Sequence, residues 1–228
     1  LGDGTYTVNA SVTDFLNQKN TTPTLTVTLD TRPPEITFIN PTGGNGTIVY
    51  ASSIPVKVGI MEMNLSNVTF ILKDSTGAIA NKTTYTKGIN PELNPSDGSA
   101  EINFSSLPDG TYTYNVSADD TTDVSDCAGI CVPYPPGSLR NATEERTIIL
   151  DTTAPMPTFA SNTPENGSNL SVNTVTINGT AAEPNFANGT ITLRNNAGTI
   201  VGQQIWTGST TGNATFSGVA DGTYTFTF

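Results

Sequence analysis

The stretch DGTYTYNVSADD, Asp109 to Asp120, decides the fold. Tyr112, Tyr114, Val116 and Ala118 share one phase of an alternation, and Thr111, Thr113, Asn115 and Ser117 share the other. A period of two in Thr, Tyr and Val predicts a strand with one face buried and the other facing water. The Asp-Gly pair ahead of it predicts a tight turn. The pentapeptide DGTYT occurs three times, at Asp3–Thr7, Asp109–Thr113 and Asp221–Thr225. Around the first copy Tyr6, Val8, Ala10 and Val12 repeat the alternation, and Leu25, Val27 and Leu29 alternate with Thr26 and Thr28.

Working outward, the chain repeats itself at one long spacing. Leu29-Asp30-Thr31 returns 121 residues on as Leu150-Asp151-Thr152, each followed by prolines (Pro33 and Pro34, Pro155 and Pro157). TFILKDSTGAI, Thr69–Ile79, returns at the same spacing as TITLRNNAGTI, Thr190–Ile200. Two independent pairs at one offset mark a duplication. Turn signals punctuate the strands at Gly43-Gly44-Asn45-Gly46, Ser75-Thr76-Gly77, Pro108-Asp109-Gly110 and Asn196-Ala197-Gly198. No stretch has a helical period. The expected fold is all-β: tandem immunoglobulin-like antiparallel β-sandwich domains joined by Pro-rich linkers.

A tight turn followed by Tyr and a core strand fits the tyrosine corner that opens strand F of such sandwiches. DGTYT then opens strand F, and Leu-Asp-Thr closes strand G. The expected domains are 1–31, the last two strands of one repeat; 32–151, a complete repeat with insertions at Gly88–Gly98 and Asp119–Arg140; and 152–228, a repeat without its last strand. An open strand edge is a liability. Its expected partner is the continuing repeat chain or, in a homopolymer, a strand donated by another subunit.

Composition narrows the function. Net charge is -11 with 13% charged residues, which repels phosphate and sets nucleic acid aside. There is no histidine, so Ser-His-Asp and Cys-His catalysis and most zinc sites are excluded. Nothing in the sequence builds a paired-carboxylate cleft beside a sandwich core. A non-catalytic role is expected. No apolar run approaches the roughly 18 residues that span a membrane.

DGTYTYNVSADD, followed downstream by RTIILDTTAP, is similar to the repeats of bacterial Ig-like and cadherin-like surface proteins and of long archaeal tandem-repeat surface proteins. The long loop Asp119–Arg140 and the linker Asp30-Thr31-Arg32-Pro33-Pro34 depart from the usual pattern. The resemblance implies an extracellular place at the cell surface, in a surface layer (S-layer), fibre or adhesin. It names no ligand. Relatives use junction calcium to stiffen their rods.

The residues add three candidate site classes. Fourteen Asn-x-Ser/Thr sequons are present: Asn9, Asn20, Asn45, Asn64, Asn67, Asn81, Asn103, Asn115, Asn141, Asn166, Asn169, Asn178, Asn188 and Asn213. Chance would give about six. Asn9, Asn103, Asn115 and Asn178 fall on the outward phase of their strands, where a bulky hydrated glycan must sit, so N-linked glycosylation is expected. The carboxylates Asp30 and Asp151, beside the linkers, and Asp119, Asp120, Asp123 and Asp126, in one loop, offer oxygen ligands for structural calcium; plain turn capping is the other reading. Cys127 and Cys131 form either a CxxxC metal pair or a small disulfide. Metal would need two more soft ligands, so the disulfide is expected. The chain thus reads as a glycosylated structural repeat of a surface filament or layer. An adhesin using its long loops is the alternative, and the stalk of a secreted enzyme a third.

Overall fold

The structure, a computed structural model, describes residues 1–94, 98–120 and 139–228. It divides into two compact units, Leu1–Thr152 and Thr153–Phe228. Every regular element among the described residues is a strand, so none is a helix able to cross a membrane.

The first unit opens with two ribbons. β1 (Gly4–Val8) and β2 (Ser11–Thr13) are followed by β3 (Lys19–Thr21) and β4 (Leu25–Leu29); β1 pairs with β4 and β2 with β3, all antiparallel. A sandwich follows. One sheet holds β5 (Glu35–Ile39), β7 (Ile54–Met61), β10 (Leu93–Asn94) and β11 (Ser99–Phe104), in the order β10-β11-β7-β5. The facing sheet holds β6 (Thr47–Val49), β8 (Leu65–Lys73), β9 (Ile79–Thr86), β12 (Gly110–Asp120) and β14 (Arg146–Leu150), in the order β6-β14-β12-β8-β9; β13 (Arg140–Ala142) also pairs with β12.

The alternation read from DGTYTYNVSADD is the core of this sandwich. Tyr112, Tyr114, Val116 and Ala118 are buried, and they pack with Val56 and Val58 of β7 and Phe70 and Leu72 of β8. Each buried Val, Leu or Phe among them contributes roughly 1.5–3 kcal/mol by leaving water. On the outward phase Thr111, Thr113 and Asn115 are half-exposed. Ser117 departs from that expectation and is buried, because β13 pairs over this end of β12 and Arg140 Nη2 donates to Ser117 Oγ at 2.7 Å.

The tyrosine corner occurs in all three copies. Tyr112 donates its hydroxyl to Pro108 O at 3.0 Å, Tyr6 to Gly2 O at 2.5 Å and Tyr224 to Ala220 O at 2.9 Å. The strand after the corner meets the Leu-Asp-Thr strand in one register: Gly110 lies opposite Leu150, and Gly4 opposite Leu29. The first copy differs in burial. Val8, Leu25 and Val27, on a ribbon in which β1 and β4 pair with each other, are more than half exposed.

The second unit is a smaller sandwich. β15 (Met156–Phe159), β16 (Thr174–Ala182) and β19 (Thr211–Ser217) form one sheet, and β17 (Asn188–Asn195), β18 (Ile200–Thr207) and β20 (Tyr224–Thr227) the other. Its core is Ile177, Ile191 and Ala214, with Trp206, Phe216, Phe226 and Phe228 packed around them. Glycines make room for those rings. A Cβ on Gly212 would lie 2.2 Å from the Trp206 indole, and one on Gly189 2.4 Å from it. Together the two sandwiches make the chain an all-β protein of immunoglobulin-like type.

Candidate functional site

The ribbon and the sandwich of the first unit meet in a group of carboxylates. Asp30 follows β4, Glu62 follows β7, and Asp120 ends β12. One ligand oxygen from each lies within 4.8 Å of the others. Strand period explains Asp120: it continues the inward phase of Tyr112, Tyr114, Val116 and Ala118 to the end of the sandwich, and is 2% exposed. Its Oδ1 accepts from Leu139 N at 2.6 Å, and its own N–H donates to Leu139 O at 3.1 Å. Asn64 closes the junction. Its N–H donates to Glu62 Oε1 at 2.8 Å, and its Nδ2 donates to Asp30 Oδ2 at 3.2 Å.

Electrostatics leave this group only weakly compensated, by the charge of Arg32 acting on Asp30 and Glu62 from beyond ion-pair distance. Burial pushes the Glu62 carboxyl above the usual carboxylate range; the Asn64 N–H opposes that, and Asp30 reinforces it through a hydrogen bond and its charge. Burial likewise raises Asp120; the Leu139 N–H pulls it back, and the charges of Asp30 and Asp119 push it up. Among the described residues none of the three carboxylates has a Lys or Arg within ion-pair distance. Arg32, the nearest in sequence, is bonded to Asp3 at 2.6 Å instead. A set of oxygen donors with net negative charge fits a hard cation such as calcium better than any soft metal.

The sequence-predicted acidic residues therefore separate. Asp30 and Asp120 come together. Asp119 takes the outward phase and pairs with Arg140 Nε at 3.6 Å. Asp151 is not in the group; its N–H donates to Val49 O at 3.1 Å. Cys127, Cys131, Asp123 and Asp126 lie outside the described residues. Glu62 escaped the sequence reading, and Asn64 entered it only as a sequon, although a signal for both was present. Glu62-Met63-Asn64 returns 121 residues on as Glu183-Pro184-Asn185, the offset of Asp30 and Asp151. The second copy makes the same turn, with Asn185 N donating to Glu183 Oε1 at 2.8 Å.

Comparison with known proteins gives no family. No protein-family model matches the chain, and no curated protein sequence matches it. Among solved structures, a marsupial T cell receptor aligns with a TM-score of 0.47 and 7% identity, over 85% of this chain and 66% of the receptor chain. The fibronectin(III)-like modules of Clostridium thermocellum CbhA align with a TM-score of 0.32 and 14% identity, over 84% of this chain and 91% of theirs. This chain thus spans just under two thirds of the receptor chain's length.

The sequons fall into two groups. Asn9, Asn20, Asn45, Asn81, Asn103, Asn141, Asn166, Asn169, Asn188 and Asn213 are exposed, and Asn64, Asn67, Asn115 and Asn178 are half-buried. Three amides are committed to the fold through Nδ2: Asn64 to Asp30, Asn141 to Pro34 O at 3.0 Å, and Asn178 to Ser161 O at 3.2 Å.

A shallow groove of about 410 Å³ opens beside the Gly88–Gly98 insertion, walled by Lys57, Tyr85, Pro91, Glu92, Ser99 and Glu101.

Proposed function

We propose that this chain is a non-catalytic, extracellular structural protein, a glycosylated tandem immunoglobulin-like repeat that builds a cell-surface filament or surface layer. The observation that carries the reading is the tie between consecutive repeat elements, Asn64 Nδ2 on Asp30 Oδ2 with Glu62 and Asp120 beside it. A protein whose use is mechanical needs its modules joined at defined angles. A hydrogen-bonded junction between a linker and the next sandwich supplies such a joint.

Three further features belong to the proposal. Asp30, Glu62 and Asp120 hold a structural divalent cation, calcium by the hardness of their oxygens, which neutralises the junction and stiffens it. N-linked glycans cover outward strand faces and turns. Further copies of the repeat, in the same chain or in a homopolymer, complete open sheet edges by strand addition. The test is electron microscopy of natively produced protein with and without a calcium chelator. Regular polymers or straight tandem arrays that loosen in chelator are expected. Isolated particles bearing one unlike domain at the tip, with no change in chelator, would sink the reading.

A second reading, adhesin, has one observation in its favour: the groove beside the Gly88–Gly98 insertion, which combines Lys57, Glu92 and Glu101 with the Tyr85 ring. A glycan array probed with the soluble chain tests it. Binding abolished by Lys57→Ala supports adhesion, and a blank array removes it.

A further inference from the structure

The fourteen sequons are not equivalent, and the internal repeat sorts them. Asn45-Gly-Thr returns 121 residues on as Asn166-Gly-Ser, and Asn67-Val-Thr as Asn188-Gly-Thr. Asn9-Ala-Ser and Asn115-Val-Ser stand at one place after the recurring pentapeptide. In each pair the whole acceptor triplet returns, not only the asparagine.

The fold gives these pairs matching places. Asn45 and Asn166 sit in one type of turn. Gly46 and Gly167 follow them at φ 78° and 79°, and the turns close through Thr47 N to Gly44 O at 3.4 Å and Ser168 N to Glu165 O at 3.1 Å. Asn67 and Asn188 enter β8 and β17 on the phase opposite Val68 and Phe70, and Ile191 and Leu193. Asn115 opposes the buried phase of β12, and Asn9 follows β1 at an exposed position.

Asn64 is the contrast. Its copy is Asn185, but Asn185-Phe186-Ala187 is no sequon. What returns there is the structural work, since both backbone N–H groups donate to a glutamate two residues earlier at 2.8 Å. The asparagine is kept for its turn, and its sequon is incidental. Asn178 also spends Nδ2 on a main-chain oxygen, and its triplet does not recur. Asn141 donates Nδ2 to Pro34 O, but Asn141-Ala-Thr stands 121 residues after Asn20-Thr-Thr and makes a fourth recurring pair; in both copies the next N–H donates to the asparagine Oδ1, at 2.9 Å.

We infer that the glycans sit on the recurring triplets, Asn9 with Asn115, Asn20 with Asn141, Asn45 with Asn166 and Asn67 with Asn188, and that Asn64 and Asn178 remain bare structural amides. The inference rests on the glycosylation proposed above. Attachment joins Nδ2 to the anomeric carbon of a phosphate-linked sugar donor. The anomeric carbon–oxygen bond breaks, the phosphate leaves with its electron pair, and Nδ2 gives up one proton. At Asn64 the added sugar would wedge between Nδ2 and the Asp30 carboxylate, now 3.2 Å apart, and open the junction.

The experiment is site-resolved glycopeptide mass spectrometry on natively produced full chain, with Ser11→Ala and Ser66→Ala variants made in the same host. Ser11→Ala deletes the Asn9 sequon and should lower the intact mass by one whole glycan. Ser66→Ala deletes the Asn64 sequon and should change it only by the lost oxygen atom. A glycan on Asn64 or Asn178, or a recurring pair bare in both copies, overturns the inference and leaves glycosylation standing. A bare polypeptide mass overturns both.

Discussion

Asp109 Oδ1 accepts twice from Thr152, from its N–H at 2.9 Å and from its hydroxyl at 2.8 Å. This clamp joins the turn that opens β12 to the residues leaving β14, so the two recurring motifs, DGTYT and Leu-Asp-Thr, are halves of one device. The first copy repeats it, with Asp3 Oδ1 accepting from Thr31 N at 3.2 Å and Thr31 Oγ1 at 2.7 Å. Asp109→Ala should destabilise the first unit by on the order of 1 kcal/mol, the usual worth of such bonds net of water. Asp109→Asn keeps the accepting oxygen and should recover most of that. Urea unfolding of the three proteins decides. Equal midpoints would remove the clamp from the account of stability.

At Asp3 the clamp predicts a pH dependence. The Thr31 hydroxyl, the Arg32 guanidinium and the Thr31 N–H all favour the ionised carboxylate, holding it below the usual range, with the Thr31 hydroxyl the strongest. A carboxyl depressed on folding stabilises the folded form above its unfolded pKa, and that stability drains away as pH falls through the folded value. Amide exchange of Thr31 should therefore quicken as pH is lowered through the acidic end of the carboxylate range, after correction for intrinsic exchange. Asp3→Asn should flatten the curve. Because Arg32, its ion-pair partner, is solvent-exposed, salt should weaken the effect.

The strand pattern was legible because it is local. The pairs Tyr112/Tyr114 and Thr111/Thr113 announce their faces by period alone, and the corner tyrosines announce their turns. What stayed hidden depends on register and on distant chain. Ser117 looks outward by period, and only β13 and Arg140 cover it. Glu62 was hidden for a similar reason: nothing near it in sequence is acidic, and its partners Asp30 and Asp120 come from elements 32 residues before and 58 residues after it.

Glycine carries the packing of the second unit. At Gly212 and Gly189 a methyl group would enter the Trp206 ring at 2.2 and 2.4 Å, closer than any real contact. Trp206 cannot retreat freely, since it stacks on Phe186 at 6.4 Å and leans on Phe228 at 5.1 Å. Gly212→Ala should cost about 1–3 kcal/mol, as overpacking does, and shift the fluorescence of the lone tryptophan toward the red. Gly59→Ala is the control. Its added methyl would meet Ile39 at 3.5 Å, an ordinary contact, so it should lack any comparable penalty. If both variants melt alike, the glycine–indole packing is not what orders this sandwich.

The junction of Asp30, Glu62 and Asp120 makes a prediction whose sign changes with calcium. Without a cation, three carboxylates held within 4.8 Å repel one another, and burial raises two of them, so the group opposes folding at neutral pH. Removing one charge then relieves repulsion: in chelator, Glu62→Gln should melt at or above the wild-type temperature. With calcium the same charge becomes a ligand. A cation at a hundred times its dissociation constant stabilises a site by about 2.7 kcal/mol, and the variant should forfeit most of that. The melting curves of wild type and Glu62→Gln should therefore cross in rank between chelator and millimolar calcium. Asp120→Asn, which still accepts from Leu139 N, should behave in the same way. A purely structural role for Glu62, as the cap of the Asn64 N–H, predicts instead the same small change in both conditions with calcium irrelevant, because the amide oxygen of Glu62→Gln still accepts. Differential scanning fluorimetry of the three proteins in the two buffers separates the cases, because only a bound cation can turn a neutral or favourable substitution into a harmful one.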